Sequence, residues 1–479
     1  MQTLAQIAGR RAWWAEARAT LALAWPLALT NLSQHALALT DAVVLGWLST
    51  DALAAATLGA NLYWTVMALP LGTALAATPL LAQARGAGQR TGGAGRGGVR
   101  QMRRGARSAL WASLAMLVPA LLVLWFTETL LLALGQEPHL AALAGLYVRA
   151  LMWGLVPFCG FIVLRGFLSA MERPGPALWI TGAAVLVNAV LSFGLVFGGF
   201  GWGGMGVVGA GIASTLANAL MLLGLLVLIA RDRRLGRFRL LGRFWRPDWR
   251  KLAEVWRLGL PISGTMLLEV GVFSAAAVAM GWFGAVAVAA HAVALQVAAM
   301  TFMVPLGIGQ AATARVGIFA GAGQVAAASR AGWVAVALGA GFMATMALLL
   351  VLGGGAIARG FLGAGDAAAQ EAVALAATLL TVAGVFQLAD GVQAVAGGAL
   401  RGLKDTRVPM LLAALGYWGI GMPVGLVLAA WVGLGPVGLW VGLAAGLGGV
   451  AVLMLRRWGR LSQRFLTTPS LDREGILGA

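Results

Sequence analysis

Three carboxylates carry the chemistry that this sequence can do. Asp41 (in ALTDAVV), Glu269 (in MLLEVGV) and Asp390 (in FQLADGV) each stand inside a long apolar run. The rest of the sixteen acidic residues lie in polar connections, tails or the ends of such runs. A carboxylate in hydrocarbon costs on the order of 3 kcal/mol, so by default it marks an ion pathway. The alternative is a pair with a buried base. Arg149 is the one basic residue well inside an apolar run. It precedes Arg165 by sixteen residues, roughly 24 Å of helix, which puts it near the opposite interface, where its long side chain snorkels to water. A pair between Arg149 and one of the three acids stays open. A buried carboxyl without such a partner takes up a proton or binds a metal cation. The three acids therefore read as a cation-binding system.

The elements that must position them are membrane helices. The chain has 479 residues, 60% hydrophobic and 10% charged, against about 25% charged in soluble domains. Apolar runs near the ~20 residues that cross a bilayer recur along it. They fall at 19–45, 53–78, 106–127, 139–164, 176–198, 207–230, 258–281, 287–311, 331–353, 371–397, 408–431 and 436–455, giving twelve spans and an all-α polytopic fold. The first run carries no small-residue cleavage pattern, so it reads as a retained helix and not a signal peptide. Cys159 stands alone, which rules out an internal disulfide framework.

The net charge of +18 is distributed by side. Arg and Lys cluster at 10–18, 85–107, 165–173, 231–257, 401–407 and 456–473, while the alternate connections contain only Arg359. Alternation of this kind marks the two faces of a membrane, the basic face being cytoplasmic. The excess is thus a topology signal and not a nucleic-acid footprint, and it places both termini inside. The segment 231–257, with Trp245, Trp249 and Trp256 among its bases, reads either as a linker between halves or as a segment lying on anionic headgroups.

A repeat organises the spans. Residues 69–89, LPLGTALAATPLLAQARGAGQ, recur as 304–324, VPLGIGQAATARVGIFAGAGQ, at an offset of 235. The same offset pairs Pro26 with Pro261, Gln34 with Glu269 and Asn61 with Gln296, and an offset of 236 pairs Leu164-Arg165-Gly166 with Leu400-Arg401-Gly402. Six helices per half give both halves one orientation, related by an axis along the membrane normal, an arrangement typical of transporters. The expected division is an N-lobe at 1–230, a basic linker at 231–257, a C-lobe at 258–455 and a tail at 456–479. Glu269 lies twelve residues past Arg257 and Asp390 eleven before Arg401, so both sit roughly 17 Å deep. Asp41, two turns beyond Gln34, sits ~10 Å further outward on the same face.

Motifs for other chemistry fail. GAGRGG at 93–98 follows no strand and lies in a basic connection. Lys251 and Lys404, the two lysines, follow no phosphate loop, and neither HExxH nor GxSxG occurs. His35, His139 and His291 are scattered over spans and an outer connection, and Cys159 reads as a small core residue.

The stretches 26–47 (PLALTNLSQHALALTDAVVLGW), 82–89, 258–317 and 386–409 (FQLADGVQAVAGGALRGLKDTRVP) resemble the multidrug and toxic compound extrusion family, and its NorM branch most. That resemblance implies an antiporter in a bacterial cytoplasmic membrane, monomeric, with no organic cofactor. It exports amphipathic, often cationic compounds in exchange for protons or sodium ions. Glu269 and Asp390 fall on the two C-lobe carboxylates of the branch, Asp41 on the N-lobe aspartate and Asn188 on an N-lobe polar position. Gln34, Asn188, Gln296 and Phe386 are candidates to line the cavity, and a sodium site at Glu269 and Asp390 is the metal alternative. The branch commonly has tyrosine four residues before the C-lobe aspartate, where this chain has Phe386. The missing hydroxyl tilts the expectation toward protons. A flippase for lipid-linked sugars shares the architecture but calls for several mid-span bases, which Arg149 alone does not supply. A membrane-embedded enzyme finds no support among the motifs.

Overall fold

A backbone in hydrocarbon must satisfy its own hydrogen bonds, so long apolar runs become helices. In the computed structural model, which describes residues 2–90, 96–198, 203–240, 242, 244–363 and 367–467, they do. The helices are α1 (Gln2–Leu48), α2 (Thr50–Leu75), α3 (Ala77–Arg90), α4 (Arg96–Trp125), α5 (Thr127–Ala133), α6 (Pro138–Leu151), α7 (Leu155–Ala170), α8 (Gly175–Phe197) and α9 (Val207–Arg231). After the short α10 (Arg233–Gly236) come α11 (Trp249–Gly281), α12 (Ala285–Gly321), α13 (Val325–Leu362), α14 (Ala367–Gly402), α15 (Arg407–Ala414), α16 (Met422–Ala430) and α17 (Gly435–Thr467). Among the described residues eleven helical stretches are long and apolar enough to span, and each coincides with an expected span. The first expected span, 19–45, lies in α1 but is diluted by Thr30, Asn31, Ser33, Gln34, His35 and Asp41. Its polarity follows from the groups it has to present. Part of GAGRGG (residues 93–95) and the end of the tail (468–479) lie outside the described residues.

Two compact units form, but their borders cut through helices and not through 231–257. One unit comprises residues 1–28 and 265–479, the other 29–264. The first part of α1 therefore packs with the C-terminal helices, and the first part of α11 packs with the N-terminal ones. In the first unit, Leu23, Ala24 and Leu27 of α1 join the apolar core made by α11–α17. Arg315 of α12 grips Glu16 of α1 through Nε and Nη2, both at 2.6 Å.

The repeat explains this exchange. Gly307, in the second PLG, lies so close to α1 that a Cβ added there would stand 2.6 Å from the Ala28 nitrogen and 2.8 Å from its Cα. Gly72, in the first PLG, meets Ser263 of α11 in the same way, with the Ser263 Cα at 2.7 Å. Position 263 is the +235 counterpart of 28. Small residues let helix backbones approach this closely in membranes. The AAT motifs have an equivalent role: a Cβ on Gly166 would meet Thr78 Oγ1 at 2.7 Å, and one on Gly402 would meet the Thr313 carbonyl oxygen at 3.0 Å. Thr313 Oγ1 also donates to the Gly398 carbonyl at 2.8 Å. The repeats then diverge: α3 continues to Arg90, whereas α12 ends at Gly321, where Gly323 turns the chain with a φ of +72°.

Candidate cation-coupling site

In the first unit the site is built on α11 and α14. Asp390 is buried and Glu269 half-buried, and the two carboxylates are near enough to act on each other electrostatically. Among the described residues no hydrogen bond reaches either, and no base lies within 4 Å of them. Arg401, at the end of α14, is the basic group whose charge Glu269 feels. One turn before Asp390, Phe386 is 2% exposed. Its ring packs against Phe273 at 5.9 Å and Trp440 at 5.6 Å. Trp440 in turn donates through Nε1 to His291 Nδ1 at 3.1 Å, which gives that buried histidine a structural task. An aromatic cluster thus stands one helical turn from the aspartate.

The unit also holds buried polar groups that sequence reasoning missed. The run expected as a regular helix over 408–431 widens into a π-helical stretch at Leu415–Gly421. Such widenings recur at functional sites. Tyr417 lies in it, buried, its hydroxyl without a partner, and both acids act on it electrostatically. Gln387, on α14 next to Phe386, is also fully buried, with neither amide atom bonded. Unsatisfied buried polar atoms are rare and call for an explanation. Together these groups offer carboxylate, hydroxyl and amide oxygens. No spacing rule in the sequence links position 417 to 390, so only the fold could reveal it.

In the second unit Asp41 is 3% exposed and held by three donors. Asn188 Nδ2 reaches Oδ1 at 3.1 Å and Ser192 Oγ reaches it at 3.3 Å. Ser214 Oγ of α9 makes a short bond to Oδ2. Asn188 and Ser192 stand one turn apart on α8 and so share a face. The structure thus joins Asn188, Ser192 and Ser214 to Asp41. The i, i+4 spacing from Asn188 was the available signal for Ser192. For Ser214 there was none.

Gln34 does not join this cluster. Its Oε1 accepts from Arg165 Nη1 at 3.4 Å, and Asn31 Oδ1 accepts from the same atom at 2.9 Å. Arg165 is 4% exposed because α7 runs to Ala170, past the expected end at 164. It, and not Arg149, is the arginine deep in a unit, and this corrects the sequence reading. Arg149 instead pairs with Glu128 at 3.1 Å and lies over the Trp125 ring, which leaves all three membrane carboxylates without it. The repeat now yields a comparison: Gln34 beside Arg165 is the neutral counterpart of Glu269, whose charge Arg401 feels. Gln296 is half-buried on α12, and Cys159 is buried in α7.

The MatE family model matches residues 26–194 and 261–427, which covers both repeats. A protein of Mesorhizobium japonicum, "Probable multidrug resistance protein NorM", is 47% identical over 457 residues, covering 95% of this chain and 96% of that one. A protein of the same description from Brucella suis is 47% identical over 448 residues, 94% of each. The crystal structure of a Vibrio cholerae MATE transporter, VcmN, superposes with a TM-score of 0.83 at 17% identity, covering 94% of this chain and 98% of that one, which speaks for the fold. Two six-helix repeats, the membrane carboxylates at their expected helices and near-full-length similarity agree: the chain belongs to the MatE family of multidrug and toxic compound extrusion transporters.

Proposed function

We propose that this protein is a secondary active multidrug antiporter of a bacterial cytoplasmic membrane, a monomer with both termini inside. It exports amphipathic, often cationic compounds by alternating access. The inward movement of a cation through Glu269 and Asp390 drives that export. The observation that carries the reading is the pair itself: two mutually acting carboxylates in a membrane unit, with no base within 4 Å among the described residues. Such a pair keeps at least one bound cation far more readily than it carries two negative charges. Binding and release of the cation therefore changes the charge of the unit, which is what coupling requires. The relatives' description as multidrug resistance proteins supports the substrate class.

The coupling ion is a proton in this reading. Phe386, Phe273 and Trp440 form an aromatic cluster one helical turn from Asp390, and apolar surroundings favour the protonated carboxyl over the charged one. A sodium reading has one observation in its favour. Tyr417 and Gln387 place unbonded buried oxygens in the same unit, and sodium needs several oxygen ligands. Efflux of a fluorescent cationic dye from proteoliposomes, under a pH gradient and then a sodium gradient, tests both. Asp390→Asn and Glu269→Gln are each expected to abolish ion-driven efflux at near-normal expression. Wild-type efflux from Asp390→Asn sinks the assignment, and saturable sodium drive with no response to pH replaces the proton.

A further inference from the structure

The first turns of α4 carry Arg100, Arg103, Arg104 and Arg107, at spacings of three and four that place all four on one helix face. Like charges at these spacings destabilise a helix, so something opposite in charge has to repay them. Three are engaged by the chain that follows α10. Arg103 Nε donates to the Phe238 carbonyl at 2.8 Å, Arg107 Nη1 to the Gly242 carbonyl at 3.4 Å, and Arg104 Nε to Asp248 Oδ2 at 2.6 Å. Beneath them Trp111 stacks on Phe244 at 5.2 Å and donates to its carbonyl at 2.8 Å. The segment 231–257 is therefore folded onto α4 by specific contacts.

A cavity of about 590 Å³ results, lined by Arg100, Arg103, Arg104, Arg107, Arg246 and Arg250 against one carboxylate, Asp248. Burial pushes the Asp248 carboxyl up, but the Arg104 hydrogen bond, the Lys251 amide and the charges of Arg104 and Lys251 hold it below the usual carboxylate range. It stays ionised and is consumed by Arg104. Among the described residues Arg100, Arg246 and Arg250 have no hydrogen-bond or ion-pair partner. Three guanidinium forks thus face one space with nothing to hold. Guanidinium planes match the oxygens of a phosphate in bidentate fashion. Trp249 lines the cavity and is 72% exposed, and Trp245, next in sequence to the lining residue Arg246, is 74% exposed. Exposed tryptophan is costly in water and favoured at headgroup level of a bilayer.

We infer that this cavity is a binding site for the phosphate headgroup of an anionic phospholipid, seated between the start of α4 and residues 246–250. The arginines supply the phosphate contacts and the two tryptophans the interfacial anchor. Because the segment joins α9 to α11, a bound lipid also holds the connection between the two halves of the sequence. The site is separate from the coupling carboxylates and does not depend on the choice of ion.

The test uses the purified full chain in detergent, titrated with phosphatidylglycerol or phosphatidylcholine and read by native mass spectrometry. Wild type is expected to retain one phosphatidylglycerol in preference to phosphatidylcholine. In Arg100→Gln/Arg246→Gln/Arg250→Gln the first phosphatidylglycerol should bind on the order of 100-fold more weakly, from about one decade or less per basic residue at an anionic surface. A control, Arg234→Gln/Arg456→Gln/Arg460→Gln, removes as many arginines elsewhere and should change it less than about threefold on the same scale. Should the triple site variant not fold, Arg250→Gln alone is expected to weaken binding about fivefold. Equal loss in site and control variants overturns the site, leaving only diffuse charge. Thermal stabilisation by inorganic phosphate that matches that by phosphatidylglycerol, and is lost in the site variant, overturns the lipid and assigns a free phosphate.

Discussion

Replacing Gly307 by alanine tests the close approach of α1 and α12 within the first unit. The added Cβ would stand 2.6 Å from the Ala28 nitrogen and 2.8 Å from both its Cα and Cβ. Distances under 3 Å to backbone cannot be relieved by turning a side chain, so α1 and α12 must part locally. Overpacking of this kind costs about 1–3 kcal/mol, against a gain of at most about 1 kcal/mol from replacing glycine within a helix. The net expectation is a loss of about 1–2 kcal/mol. Gly72→Ala meets Ser263 in the other unit and should lose a similar amount. Gly341→Ala in α13, where nothing lies within 4 Å, should instead gain about 0.5–1 kcal/mol. Thermal unfolding of the three variants in one detergent, followed by tryptophan fluorescence, gives the order. Dye efflux should fall in the first two, because the helices that meet Gly307 and Gly72 are α1, which carries Asp41, and α11, which carries Glu269. A Gly307→Ala protein as stable as Gly341→Ala would refute the close approach.

Further outcomes follow from the same geometry. Phe386→Tyr adds an oxygen one turn before Asp390 and is expected to increase sodium-stimulated efflux at fixed pH; no change on a sodium titration would leave Phe386 as packing alone. Tyr417→Phe should reduce ion-driven efflux at least tenfold if its hydroxyl serves the carboxylates, with unfolding temperature nearly unchanged since the hydroxyl has no partner to lose; a hydrogen bond to an ion is worth about 1.5–3 kcal/mol. Ser214→Ala removes one of three donors to Asp41, and the same range predicts a loss of stability of that order in a denaturant titration. Cysteines at Leu134 and Ala356, both exposed, should react with an impermeant thiol reagent outside intact cells, and cysteines at Arg90 and Arg239 should not; labelling of position 239 from outside would overturn the orientation.

The membrane class, the helices, the repeat and the three carboxylates are legible from the order of residues alone. Apolar length and the scarcity of charge leave a chain in lipid no structure but helices, and an acid in such a run is legible from its neighbours alone. Pairing by offset even located Gly72 and Gly307 as equivalents without showing what they touch. Which residues meet across helices is settled by folding. That the first part of α1 packs with the C-terminal unit, and the first part of α11 with the N-terminal one, depends on backbone approaches between residues far apart in sequence, Ala28 with Gly307 and Gly72 with Ser263. Tyr417 beside the coupling acids, Ser214 on Asp41 and Arg165 on Asn31 and Gln34 join residues from separate helices, and their sequence spacing is set by loop lengths that carry no chemistry. The arginines of α4 and of 246–250 looked like an orientation signal because charge counting along a chain is blind to convergence. Folding the segment onto α4 turned that signal into a cavity.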